Sequence, residues 1–210
     1  MDKLRERQSK VKFMEDISIC HSTINQSGKL PELDSLQSLC LQSSCIGGWK
    51  VVNDIVSQIP SLKNLDLRSN RFELPADDAC FQFPNLETLI VDACGLSNWN
   101  DVLTIARMCP NLRECSLKQN DIKHIVSEKL SSEAFKKLEV LIISENQIED
   151  FNEVMKLKDL STLKEILVND NKIKEVKLPN CDHKERLTDM FVSLESMNLR
   201  HNQIENEKQK

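Results

Sequence analysis

The stretch LKEILVNDNKI, residues 163–173, sets apolar side chains at Leu163, Ile166, Val168 and Ile173, with Asn171 inside the pattern. Ile166 and Val168 stand two residues apart, the period of a short strand with one buried face. An Asn among apolar neighbours loses its hydration, a loss tolerated only where the amide finds hydrogen-bond partners. Those partners emerge once the same stretch is sought elsewhere in the chain.

The pattern L-x-x-L-x-L-x-x-N-x-L recurs eight times. The matches are Met14-Ile17-Ile19-Ser22-Ile24, Leu36-Leu39-Leu41-Ser44-Ile46, Leu62-Leu65-Leu67-Asn70-Phe72 and Leu86-Leu89-Val91-Cys94-Leu96. They continue with Leu112-Cys115-Leu117-Asn120-Ile122, Leu138-Leu141-Ile143-Asn146-Ile148, Leu163-Ile166-Val168-Asn171-Ile173 and Leu194-Met197-Leu199-Asn202-Ile204. Repeats therefore start near 14, 36, 62, 86, 112, 138, 163 and 194, at spacings of 22, 26, 24, 26, 26, 25 and 31 residues. This is the leucine-rich repeat signature. It predicts an α/β solenoid over residues 1–210: a horseshoe of about eight repeats, with a parallel concave sheet and short convex helices. Stacking puts the polar residue of every repeat in one column. Asn70, Asn120, Asn146, Asn171 and Asn202 are expected to form a ladder, each amide bonding the backbone of its own turn and of the next repeat. Ser22, Ser44 and Cys94 take the same place with fewer bonds. The ladder is structural, and no catalytic role is assigned to it.

The connectors carry a second signal. WKVVNDIVSQIPSL (49–62) aligns without gaps to WNDVLTIARMCPNL (99–112). Trp49, Val52, Val56 and Ile59 match Trp99, Val102, Ala106 and Cys109, spaced for one face of a helix that ends at Pro60 or Pro110. FNEVMKLKDLSTL (151–163) is a third copy, with Phe151 in the Trp position. The aromatic is read as a core plug, whose burial stabilises by about 2–3 kcal/mol. Residues 73–85 replace a helix with a Pro-bounded loop, and residues 174–193 form the longest insertion. After the eighth strand only HNQIENEKQK remains, so the last repeat is expected to expose apolar surface.

Composition narrows the function classes. Net charge is −5 and the pI about 5.5, so there is no basic excess to neutralise nucleic-acid phosphates. No run of 18 apolar residues predicts a membrane span, and the charged start MDKLRERQSKVKF lacks a signal-peptide core. The eight cysteines include no C-x-x-C, and the reading is a set of cytosolic thiols at small apolar positions. Four histidines and four glycines form no zinc-protease, phosphate-loop or dinucleotide motif. His21 and His201 share one register at the edge of the sheet, and His183 sits beside Asp182 in the insertion. No enzyme, cofactor or metal is expected.

A binding surface is expected instead. Strand side chains alternate, so the residues flanking each central apolar position point away from the core. Along that face the ends are polar, but the middle carries Ile90, Val140, Ile142 and Leu167. A contiguous exposed apolar patch of this kind marks a partner site. Arg68, Asp92, Glu114, Lys118, Glu165 and Arg200 are expected as its mixed-charge rim.

The helices LSNWNDVLTIARMCPNLRECSLKQNDI (96–122) and GGWKVVNDIVSQIPSLKNLDLRSN (47–70) resemble the repeat domain of tubulin-folding cofactor E and its cofactor E-like relatives. LRERQSKVKFMEDISICHSTI resembles that domain's first repeat, and FVSLESMNLRHNQI (191–204) its late one, after a long insertion. The resemblance covers roughly residues 4–205. It implies a cytoplasmic, cytoskeleton-associated chaperone without catalytic residues, acting with other tubulin-folding cofactors on alpha-tubulin to build or dismantle the heterodimer. Full members flank the repeats with a glycine-rich cytoskeleton-associated domain and a ubiquitin-like domain, and neither is recognised in this chain. Tubulin is acidic, as this chain is, so long-range attraction does not drive the encounter. Binding is expected to rest on the apolar strip and on Arg68, Lys118 and Arg200. The alternative is a regulatory or scaffold subunit that docks an enzyme such as a protein phosphatase on the concave face.

Overall fold

The computed structural model describes residues 11–71, 81–126, 134–177 and 190–205. Each repeat contributes one three-residue strand: β1 Asp16–Ser18, β2 Ser38–Cys40, β3 Asn64–Asp66, β4 Thr88–Ile90, β5 Glu114–Ser116, β6 Val140–Ile142, β7 Glu165–Leu167 and β8 Ser196–Asn198. The eight strands form one open parallel sheet in sequence order. Register is kept down the stack, so Ile17, Leu39, Leu65, Leu89, Cys115, Leu141, Ile166 and Met197 face one another in a single inward column. The middle of this column, Leu39 to Ile166, is at most 4% exposed. Together with the leucines three residues before it and the aliphatics two after, it forms the continuous core of the horseshoe.

Among the described residues three helices lie on the other side: α1 Trp49–Val56, α2 Trp99–Met108 and α3 Phe151–Met155. The Asn98 and Asp150 side chains cap α2 and α3 by accepting from the amides of Asn100 and Asn152. All three helices are shorter than the periodicity predicts. Ile59 and Cys109 are buried but lie beyond the last helical residue, each in a turn closed by the amide of Leu62 or Leu112. The same turn stands before the strand in other repeats, at Leu33, Phe83, Phe135, Leu160 and Phe191. These residues are buried for tertiary reasons: Trp49 stacks on Phe83 of the next repeat, ring centroids 6.2 Å apart, and Trp99 meets Phe135 at 6.5 Å. The aromatic plug is thus an inter-repeat pair.

The Asn ladder forms, with one correction of direction. Asn146 Oδ1 accepts from the amides of Asn120 and Ile122, both at 3.0 Å, while Nδ2 donates to the carbonyls of Leu117, Ile143 and Ser144. Asn70, Asn120, Asn171 and Asn202 make the same kind of bonds. Each amide therefore joins its own turn to the preceding repeat, not the next one. Ser44 and Cys94 only donate, to Ile19 and Gln42 and to Leu67 and Asp92. The residue before the ladder position is left-handed in all eight repeats: His21, Ser43, Ser69, Ala93, Gln119, Glu145, Asp170 and His201 have φ between 53° and 56°. None is glycine, although this conformation costs a residue with a Cβ about 1–2 kcal/mol. The ladder bonds gained at the next residue offset that strain.

The end repeats differ from the interior. Met14 and Ile19 are exposed and Ile17 is half-buried; Ile204 is exposed, and Leu194, Met197 and Leu199 are half-buried. An interior repeat is covered from two sides, an end repeat from one. No helix among the described residues is long and apolar enough to cross a membrane. Phe72, Cys80, Cys181, His183 and most of the 174–193 insertion lie outside the described residues.

Candidate functional site

The sheet face opposite the helices is built from three columns. The first runs Asp16, Ser38, Asn64, Thr88, Glu114, Val140, Glu165, Ser196, and the second Ser18, Cys40, Asp66, Ile90, Ser116, Ile142, Leu167, Asn198. The third holds Arg68, Asp92, Lys118 and Arg200, two residues beyond the second column in their repeats. Ile142 and Leu167 are direct register partners, and Val140 is one strand position from Ile142 in β6. Ile90 is separated from Ile142 by Ser116. The structure therefore brings Val140, Ile142 and Leu167 together, with Ile90 one strand removed. All four are half-buried, less exposed than an open patch requires, because their neighbours in adjacent strands shield their flanks.

The polar rim is more ordered than its sequence suggests. Arg68 Nε lies 3.0 and 2.9 Å from the two Asp66 carboxylate oxygens, and Nη2 lies 2.6 Å from Oδ2. Burial pushes the Asp66 carboxyl up, but the hydrogen bonds from Arg68 outweigh it and hold it below the usual range. Lys118 Nζ is 3.0 Å from Glu145 Oε1. Asp92 Oδ1 accepts from Ser116 Oγ at 2.6 Å and from the Lys118 amide at 2.9 Å. Burial is the larger influence there and raises the Asp92 carboxyl above its ordinary value. Ser116 and Ser144, which alternation places on the open face, are buried, their hydroxyls engaged with Asp92 and Asn169. Arg200 is exposed at the last repeat. The partners Asp66 and Glu145 escape a reading by columns of one residue type. The signal for the first is an Asp at the end of β3 two residues before an Arg, a spacing that continues the strand's two-residue period.

Chemistry-bearing groups elsewhere are few. Among the described residues no three His, Cys, Asp or Glu side chains are grouped to hold a metal ion. Burial pushes the Cys94 thiol up to about 11 and the Cys109 thiol up to about 12, and it raises Cys115 as well. These three thiols act as small apolar core residues at pH 7. A cavity of about 710 Å³ lies by the start of α2 and is lined by Trp99, Lys123, His124 and Glu149 among others, an open mixture of both charge signs.

Comparison with known proteins gives the same picture. Tubulin-specific chaperone E of Drosophila melanogaster is 38% identical over 211 residues, covering 99% of this chain and 40% of that protein. The Xenopus laevis chaperone is 28% identical over 97% of the chain, and tubulin-folding cofactor E of Arabidopsis thaliana 29% over 97%. The chain spans about two fifths of the length of these relatives. No family model matches. Among solved structures, human trophoblast glycoprotein superposes with a TM-score of 0.66 at 17% identity, covering 91% of this chain and 71% of that one. Internalin C2 of Listeria monocytogenes follows with 0.58 at 19% identity, covering 96% and 77%. These neighbours show the leucine-rich repeat fold alone. In sequence this chain is similar, over nearly its whole length, to a segment that makes up about two fifths of the tubulin-specific chaperone E proteins.

Proposed function

We propose that this chain is a non-enzymatic protein-binding module that engages a tubulin polypeptide, alpha-tubulin by resemblance, through the open sheet face of its fourth to seventh repeats. The observation that carries the reading is the aliphatic strip Val140, Ile142 and Leu167 on a face that no other layer among the described residues covers. The names of the relatives supply the partner: all are tubulin-specific chaperones or tubulin-folding cofactors. On this reading the chain acts in the cytoplasm, in tubulin folding or heterodimer assembly and disassembly, alongside other tubulin-folding cofactors. The test is capture of purified alpha-tubulin by the wild-type chain and by Ile142→Asp. Capture by the wild type alone, with matching circular dichroism, is the expected result. Equal capture by both moves the site off the strip, and capture by neither removes the tubulin reading and favours an enzyme-docking scaffold.

A further inference from the structure

We infer that the open sheet face selects an apolar polypeptide segment carrying Lys or Arg, and rejects an acidic one. This deepens the proposed function and rests on its choice of face. Glu114, Val140 and Glu165 are consecutive in the first column, so one half-buried carboxylate stands on each side of the central aliphatic. The two flanking strands are about 10 Å apart. Among the described residues neither carboxylate has an ion-pair partner. Asp92 adds a third negative group two residues beyond Ile90 in the same repeat.

The bases of the same face do not compensate them. Arg68 is held by both oxygens of Asp66, and Lys118 by Glu145. Arg200 is free of ion pairs among the described residues but belongs to the last repeat. The net field over the strip is therefore negative, although the face carries both charge signs. This reverses the expectation that Arg68 and Lys118 attract the partner.

The consequence follows from desolvation. A segment that covers Val140, Ile142 and Leu167 also covers Glu114 and Glu165. Burying two carboxylates without cations is strongly unfavourable, whereas pairing each with a Lys or Arg offsets the loss of water. An acidic segment adds repulsion to the same cost. An acidic segment is thus a poor occupant, and a basic apolar stretch of polypeptide a good one.

The test uses three synthetic peptides that share one apolar sequence and carry Lys, Gln or Glu at the charged positions. Binding to the full chain is read by fluorescence anisotropy. The expected order is Lys, then Gln, then Glu, with a gap of about fivefold between the first two, the scale of a partly exposed ion pair. In Glu114→Gln/Glu165→Gln the gap closes. Both side chains are half-exposed and make no hydrogen bond among the described residues, so the substitution leaves the fold unloaded. Equal binding of the three peptides, no binding of any, or a preference that survives the double substitution each overturns the inference. Alpha-tubulin capture is measured separately. Its loss with the Lys preference intact refutes the tubulin reading alone.

Discussion

Asn146→Ala removes a side chain that is 3% exposed and makes five hydrogen bonds. Its carbonyl oxygen is the acceptor for the amides of Asn120 and Ile122, and both are left in an interior that water does not reach. An unsatisfied buried donor costs about 1–3 kcal/mol. Two such donors, with three carbonyls each losing a donor, give an expected destabilisation of about 3–5 kcal/mol. That is a large share of a stability of about 5–15 kcal/mol. Asn202→Ala is the internal control. Its bonds to Ile173, Val168 and Leu199 have the same geometry, but the residue is half-buried at the last repeat. Water replaces the lost partners there, and the expected cost is about 1 kcal/mol. Urea unfolding followed by circular dichroism reads both values, and hydrogen exchange reads the place. Protection is expected to fall first at the Asn120 and Ile122 amides. Equal destabilisation by the two variants, or unchanged exchange at those amides, refutes the view that the ladder stabilises by satisfying buried donors.

Two further outcomes follow from the titrating groups. Asp92 has its carboxyl raised, chiefly by burial, so the native state holds that proton more tightly than the unfolded chain. Its stabilising protonated form is complete below the unfolded value of about 4 and is lost as pH rises through the higher folded one. Asp92→Asn keeps an acceptor for Ser116 and Lys118 without the charge. Urea midpoints should show the variant more stable than wild type at pH 7 and equal to it near pH 3, and a less stable variant at pH 7 refutes the assignment. Thiol alkylation at neutral pH, mapped by mass spectrometry, is expected to modify exposed Cys45 in the native protein and to reach Cys94, Cys109 and Cys115 only after unfolding. Native labelling of Cys115 at the rate of Cys45 sinks that reading.

The repeat number, the strand centres and the ladder positions are all legible in the linear sequence. Leu163, Ile166, Val168 and Asn171 encode one turn of a solenoid, and seven further copies encode its stacking. Periodicity is a local property, and a leucine-rich repeat is nearly closed under local rules. The same locality explains where the reading overran. Ile59 and Cys109 continue the helical period but lie in turns closed by the amides of Leu62 and Leu112, because a buried position at helical spacing does not by itself fix a helical backbone. The direction of the ladder, toward the preceding repeat, depends on how one coil is offset from its neighbour, which no single repeat contains.

The face that would meet a partner divides the same way. Its aliphatics Ile90, Val140, Ile142 and Leu167 follow from alternation, because outward and inward positions differ by one residue. Its charge does not. Counting residues gives a mixed rim of Arg68, Asp92, Glu114, Lys118, Glu165 and Arg200, whereas the fold ties Arg68 to Asp66 and Lys118 to Glu145 and leaves Glu114 and Glu165 without an ion pair among the described residues. Long flexible side chains choose among several neighbours within reach, and that choice is made by inter-repeat distance and rotamer rather than by sequence spacing. The sequence by itself determined the scaffold and the apolar line on it, and only the stacked structure decided which charges around that line remain uncompensated.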